Sequence, residues 1–366
     1  MIFVSRWLLT EADLEALELG AALLGAGGGG NPYIGKLRTR EELRRGNQVT
    51  IVTLDKLPED GLVVSLGGIG APVVGVEKLG KGDECQQALR LIEETVGRRA
   101  VALIAAEIGG ANAMEPMLTA AQAGIPVVDG DGMGRAFPEV QMMTYLIYGH
   151  PATPAAIADE KGNRVVFRDT VDMVWLERFA RSIVVDMGGV AGFAIAPMRV
   201  DVLKRYAIPG TVSQAMALGR TIQKARAARE NVIDTICRQA GGIRLFAGKI
   251  TNVQRELKGG FAVGGVELEG LGAHTGETGR IAIQNENLVF WRDGRMEACV
   301  PDLIVNLELE IGEPITTEML RYGQRIATLA LPAHALLKTP RALAVVGPAA
   351  FGYSNLIYRP LTAWQR

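Results

Sequence analysis

Two apolar runs of strand length, residues 99–106 and 125–129, flank a helical stretch at 114–123, and each opens into an acidic turn rich in glycine. A strand, a helix and a second strand in so short a span form a crossover unit, which lays its two strands parallel. The pattern is repeated upstream, where β-branched runs at 49–54 and 61–66 precede a helical stretch at 84–96. Thr10 and Asp13 have the spacing of a helix capping box, and Leu14, Leu17, Leu19, Leu23 and Leu24 then recur at helical intervals up to Gly25. The expected first half is therefore a three-layer α/β domain with a mainly parallel sheet covered on both faces.

Past Tyr148 the texture changes, with turn chemistry at Gly162-Asn163, and the boundary falls between a domain of residues 1–160 and one of residues 161–366. Helical stretches at 173–182 and 213–229 give way to runs at 245–250, 261–268, 279–285, 288–291, 303–306 and 325–331, bounded by Gly, Asn and Asp. The second domain is expected to be β-rich with inserted helices, and a return of its C-terminal segment to the first domain is left open.

The 39 basic and 40 acidic residues nearly cancel, and no basic run is long enough to track a phosphate backbone, so nucleic acid is not an expected partner. Three scattered cysteines build no disulfide framework, which suits a reducing compartment. The first residues are broken by Arg6 and lack a signal-peptide core, and no apolar run reaches membrane-spanning length, so a cytoplasmic protein with no membrane contact is expected. His150, His274 and His334 stand alone, with no metal-ligand spacing among them.

Three segments concentrate groups capable of chemistry. The first is Gly25-Ala-Gly-Gly-Gly-Gly-Asn31, which follows a helix and so differs from a dinucleotide fingerprint; no nucleotide is expected there. It reads either as a helix cap with a loose lead-out or as a pocket wall in which Gly27, Gly28, Gly29 and Gly30 let backbone approach a ligand, with Asn31 and Tyr33 as polar contacts. The second is Glu107-Ile-Gly-Gly-Ala-Asn112, at a strand end, where α/β sheets collect ligands. Glu107 is the candidate acid, and Asn112 either caps the next helix or binds substrate. The third is the stretch from Asp129 through Asp131 and Arg135 to Glu139, where paired acids and an arginine can orient water, hold a hard cation, or neutralise one another. In the second half, Asn285 and Glu286 sit in a polar cluster that reads as a turn or as a cleft contact.

Taken together, these segments resemble the S-methyl thiohydantoin desulfurase-like family, associated with hydantoinases and oxoprolinases. The likeness runs through the segment from Gly25 to Tyr33, Gly70-Ala-Pro72 with Glu77-Lys78, Glu107 to Asn112, Asp129 to Glu139 with Met142, Gln284 to Asn287, Pro301 to Ile304, Arg321-Tyr-Gly323 and Gly347 to Tyr353. The resemblance implies an α/β domain followed by a β-rich one, and hydrolysis of a C–S or C–N bond in a hydantoin- or thiohydantoin-like ring or related small cyclic amide, between the domains. On that reading Asp129 or Asp131 orients water, Glu107 shuttles a proton, and the amides of Gly27 to Gly30 or Arg135 stabilise developing negative charge. A divalent metal held by Asp129 and Asp131 is an alternative to part of this arrangement. The resemblance also leaves room for a non-catalytic accessory subunit of a hydantoinase or oxoprolinase, and a homo-oligomer is expected.

Overall fold

The structure, a computed structural model, describes residues 5–361; the start of the N-terminal stretch and the end of the second expected domain lie outside the described residues. Strand β1 (Arg6–Leu8) leads into helix α1 (Glu11–Leu24) through the expected capping box: Asp13 N–H donates to Thr10 Oγ1 at 3.3 Å and Thr10 N–H to Asp13 Oδ2 at 2.9 Å. Then come α2 (Tyr33–Arg44), β2 (Thr50–Val52), β3 (Leu62–Gly70), α3 (Pro72–Glu77), α4 (Glu84–Val96), β4 (Ala102–Ala105), α5 (Glu115–Ala123) and β5 (Val127–Asp131). Helix α6 (Thr144–Ile147) and the hairpin of β6 (Ala155–Ala158) and β7 (Arg164–Phe167) precede α7 (Met173–Asp186), β8 (Val190–Arg199), α8 (Val200–Tyr206), β9 (Ile208–Pro209), α9 (Thr211–Ala227) and α10 (Val232–Ala240).

These strands form one sheet in the order β1-β2-β5-β4-β3-β8-β6-β7, with β9 beside β5. β2, β5, β4 and β3 are the parallel block expected from the crossover pattern. Antiparallel strands flank it, β1 on one side and β8, β6 and β7 on the other. Strands β7 and β8, beyond residue 160, thus complete the first sheet. Side chains alternate between its faces as the pleat requires. Val64 and Leu103 join Leu14, Leu89, Met117 and Ile222 in one core, while Val63, Ala102 and Ile104 join Tyr145, Leu176 and Leu203 in the other. Helices α1 and α9 cross at glycine on each side: a Cβ on Gly20 would lie 1.8 Å from the Ala215 carbonyl oxygen, and one on Gly219 equally close to that of Ala16. Only glycine permits that approach.

The second sheet is antiparallel throughout, built from β10 (Ile243–Lys258), β11 (Phe261–Gly270), β12 (Thr278–Gln284), β13 (Glu286–Arg292), β14 (Arg295–Cys299), β15 (Leu303–Glu308), β16 (Pro314–Ile315) and β17 (Arg325–Leu331). Leu303, Val305, Leu307, Ala327 and Leu329 on one face of β15 and β17 join the core of α1, α9 and α10, which fastens the two halves together. The chain then returns to the first half. Helix α11 (Pro340–Val346) follows a segment whose Leu336 carbonyl accepts the Tyr148 hydroxyl at 2.7 Å. Among the described residues, no helix is long and apolar enough to cross a membrane.

Candidate functional site

The parallel strands β3 and β4 end beneath a cavity of about 400 Å³, a volume suited to a small ring compound. Its wall brings together Gly29, Gly30, Asn31, Tyr33, Glu107, Asn112, Glu139, Asn285 and Glu286, drawn from segments as far apart in sequence as residues 29 and 286. Apolar side chains, among them Ile34, Ile69, Met133, Phe137 and Phe193, provide the rest of the lining. Gly27, Gly28, Asp129, Asp131 and Arg135 do not line it.

Glu107 stands at the end of β4, where its carboxylate is fixed from two sides. Asn112 Nδ2 donates to Oε1 at 2.5 Å and the Phe137 N–H to Oε2 at 2.8 Å. Burial nevertheless dominates and pushes this carboxyl up to about 8, against the two hydrogen bonds and with help from the Asp131 charge. Asn112 caps nothing: its Oδ1 accepts the Gly68 N–H at 2.5 Å, so the side chain ties the Glu107 turn to the end of β3.

Glu286 comes from the other half of the chain. Asn285 turns the chain from β12 into β13 with φ +56°, a left-handed conformation that asparagine tolerates, and its Oδ1 accepts the Ala262 N–H at 2.9 Å. That turn places Glu286 against the glycine run. Glu286 is 2 % exposed, and its Oε2 has no hydrogen-bond partner. Burial first, and then the nearby Glu107 charge, hold its carboxyl well above the usual range, with Arg135 acting in the opposite direction.

The glycine run is a packed wall. A Cβ on Gly29 would fall 2.3 Å from the Gly109 carbonyl oxygen, and Ala111 N–H donates to the Gly29 carbonyl at 2.9 Å, so the run interlocks with the Glu107 turn. Gly27 is behind this wall, its carbonyl accepting the Thr317 N–H at 2.7 Å.

Asp129, Asp131 and Arg135 serve the framework, a correction to their expected placement at the ligand. Asp129 accepts the Ser213 N–H at 3.0 Å and the Ser213 hydroxyl at 2.6 Å, which satisfies a donor in the first turn of α9. Asp131 Oδ2 accepts three backbone N–H groups, from Ile108 at 2.8 Å, Met133 at 3.1 Å and Gly134 at 2.7 Å. Burial still raises its carboxyl to about 7. Asp131 Oδ1 is buried without a partner, while both oxygens of Asp129 are taken by Ser213, and among the described residues no three His, Cys, Asp or Glu side chains gather to hold a metal. Arg135, fully buried, donates to the carbonyls of Ala136 at 2.9 Å, Pro301 at 3.1 Å and Asp302 at 2.8 Å. Burial lowers it to about 10, opposed by Glu286, Asp302 and Glu107, so it remains a cation at neutral pH. It clasps the two halves together rather than facing a ligand.

The wall also holds residues that sequence patterns did not single out for binding. Arg181 on α7 donates to Glu177 at 2.8 Å and to the Pro138 carbonyl at 2.9 Å. Lys78 pairs with Glu160 at 2.7 Å. At the far end Cys85, Glu115 and Arg38 come together from α4, α5 and α2. Burial, followed by the Glu115 charge, keeps the Cys85 thiol protonated, well above its ordinary range. Cys237 and Cys299 are pushed by burial to about 11 and about 12, so neither is an activated nucleophile.

The S-Me-THD-like N-terminal domain matches residues 12–169 and the S-Me-THD-like C-terminal domain matches residues 171–361. No curated protein matches the chain. An X-ray crystal structure of a protein from Chromobacterium violaceum is similar to it with a TM-score of 0.80 at 26% identity, covering 97% of this chain and 100% of that one. With both family domains present in order over nearly its whole length, the chain belongs to the S-Me-THD-like family.

Proposed function

We propose that the protein hydrolyses a C–S or C–N bond in a thiohydantoin- or hydantoin-like five-membered ring, using Glu107 and Glu286 as an acid–base pair. The observation that carries this reading is the pair itself: one carboxyl from each half of the chain meets the other in a single apolar cavity of small-ring size. Two buried acids whose environments differ can divide the two roles. Glu107, hydrogen-bonded on both oxygens, ionises more readily and accepts the proton of the attacking water. Glu286, with Oε2 bare, holds its proton and delivers it to a ring nitrogen. The water oxygen bonds to the ring carbon and the C–S or C–N bond breaks. Protonated Glu107 gives its proton to the departing sulfur or nitrogen, and Glu286 recovers one from the new hydroxyl as the carbonyl forms.

The test is release of methanethiol from an S-methyl thiohydantoin and ring opening of a hydantoin by the full chain. Glu107→Gln and Glu286→Gln are each expected to slow turnover by about 10²-fold or more, the usual cost of removing a general acid or base. Full activity of Glu107→Gln, or no turnover of either ring by the folded wild type, overturns the proposal.

A further inference from the structure

Strand β3 passes under the cavity as Gly67-Gly68-Ile69-Gly70, and its glycines are not alike. A glycine inside a strand weakens it and marks a place where another backbone or a ligand comes close. Backbone accounts for two of the glycines here. A Cβ on Gly70 would lie 2.2 Å from the Gly189 carbonyl oxygen, and one on Gly192, the partner of Gly68 on β8, 2.6 Å from the Cys85 nitrogen. Gly68 has no such reason. It is exposed, its φ lies outside the left-handed region, and a Cβ there would meet nothing nearer than Asn112 Oδ1 at 3.4 Å, an ordinary contact. The missing side chain therefore opens into the cavity. Cross-strand neighbours share a face of the sheet, so it opens on the side where α4 covers Gly192 and where Cys85 donates to the Gly67 carbonyl at 3.4 Å.

This place adjoins the two acids. The Asn112 side chain spans from the Gly68 N–H to the Glu107 carboxylate, so an occupant held against Glu107 extends over Gly68. A bare five-membered ring with two exocyclic oxygens displaces about three waters, roughly 100 Å³. That leaves most of the cavity's volume of about 400 Å³ unfilled. Beyond Gly68 the wall is formed by Tyr33 and Ile34 of α2, Leu79 and Cys85. Arg38, one helical turn after Ile34, donates to the Gly80 carbonyl and so joins α2 to the Leu79-Gly80 turn. Tyr33 and Leu79 are large apolar side chains left exposed, and apolar surface at the rim of a cavity gains from being covered. Glu84 beside them is already occupied by the Lys81 and Gly82 N–H groups at 2.6 Å and 2.9 Å.

We infer that the space over Gly68 is a second subsite, which takes an uncharged apolar substituent carried by the ring, and that the bare backbone of Gly68 sets how large this substituent can be. The inference rests on the hydrolase reading for the ring placed beside Glu107 and Glu286, and it adds the part of the substrate that lies outside the reacting bond. The substituent is a branched aliphatic or aromatic group reaching from the ring toward Leu79 and Cys85.

Binding of three probes to the full chain, measured calorimetrically at neutral pH, tests this separately from turnover: hydantoin, 5-benzylhydantoin and hydantoin-5-acetate. 5-Benzylhydantoin is expected to bind at least about tenfold more tightly than either of the others, the order expected for covering a phenyl group. Gly68→Val, whose β-branched side chain suits a strand, is expected to abolish that preference while hydantoin itself binds within about threefold of its wild-type affinity. Hydantoin or hydantoin-5-acetate binding the wild type as tightly as the benzyl compound overturns the inference, as does no binding of any of the three; neither result needs a variant to fold. An undiminished benzyl preference in a folded Gly68→Val protein, or an equal loss of affinity for hydantoin and its benzyl derivative, also overturns it. Benzyl preference without turnover of any ring would sink the hydrolase reading and leave the subsite standing; turnover with no benzyl preference would do the reverse.

Discussion

A methyl group added to Gly28 would sit 1.9 Å from Oε1 of Glu286, closer than any real contact allows. The glycine lies outside the cavity, yet it fixes where the carboxyl can be. Its φ is not in the left-handed region, so alanine is tolerated by the backbone there, and the clash falls on the Oε1, Cδ and Cγ atoms of one side chain and on no backbone. Gly28→Ala is therefore expected to move Glu286 rather than unfold the protein. Displacement of a reacting group by about 1 Å costs about 10²-fold in rate. Turnover of an S-methyl thiohydantoin should fall by about that factor while the thermal midpoint shifts little. A variant with wild-type turnover would show that Glu286 does not act where it lies.

Arg135 ties together three carbonyls and offsets the charge of Glu107, Glu286 and Asp302. Replacing it with methionine keeps much of the volume but leaves carbonyls unpaired and the acids without their buried counter-charge. Breaking one side of a buried ionic arrangement costs about 3–5 kcal/mol. Urea unfolding of Arg135→Met should show a loss of that size. A change under about 1 kcal/mol would mean that the clasp contributes little.

The layout of the first half was legible because its signals are local: the Thr10 and Asp13 cap, the pleat alternation and the crossover spacing all lie within a few residues of what they determine. Glu107 was legible for a related reason, since a parallel strand end is a place and not only a residue type. Asp129 and Asp131 misled because their partners are remote. Ser213, which takes up Asp129, is 84 residues away, and nothing in a strand-end Asp-Gly-Asp distinguishes a carboxylate facing a ligand from one receiving backbone N–H groups. Glu286 read equally as a turn residue or as a cleft contact, and only the Asn285 bend against the glycine run puts it in the cavity wall. Cys85, Glu115 and Arg38 gave no signal at all, because three helices must pack before they share a wall.

The reassignment of Asp129 can be checked by separating stability from chemistry. Its carboxylate takes two donors from Ser213 at the start of α9. Loss of a side-chain acceptor at a helix start costs about 0.5–2 kcal/mol. Asp129→Ala should lower unfolding free energy by about that amount while ring turnover by the folded fraction stays within about threefold of wild type. Loss of turnover by a folded Asp129→Ala protein would return this residue to the reacting centre.

The buried acids also fix the direction in which pH acts. Burial raises Asp131 from 3.8 to about 7 and Glu107 from 4.5 to about 8, so between the ordinary and the raised values the folded chain holds protons that the unfolded chain has lost. Stability then falls as pH rises, because the folded state binds more protons throughout that interval. The contribution is fully present below the ordinary carboxylate range and is gone once pH has passed about 7 for Asp131 and about 8 for Glu107. Activity should move the other way over the upper part of the same interval, since Glu107 works as a base only once ionised, and should decline again where Glu286 gives up its proton. Glu107→Gln separates the two effects: the thermal midpoint should fall less steeply with pH than in the wild type, while the rising limb of the rate profile disappears. If the slope of stability against pH is unchanged in Glu107→Gln, burial does not raise this carboxyl in the folded protein, and a rising limb in the wild-type rate profile would belong to another group.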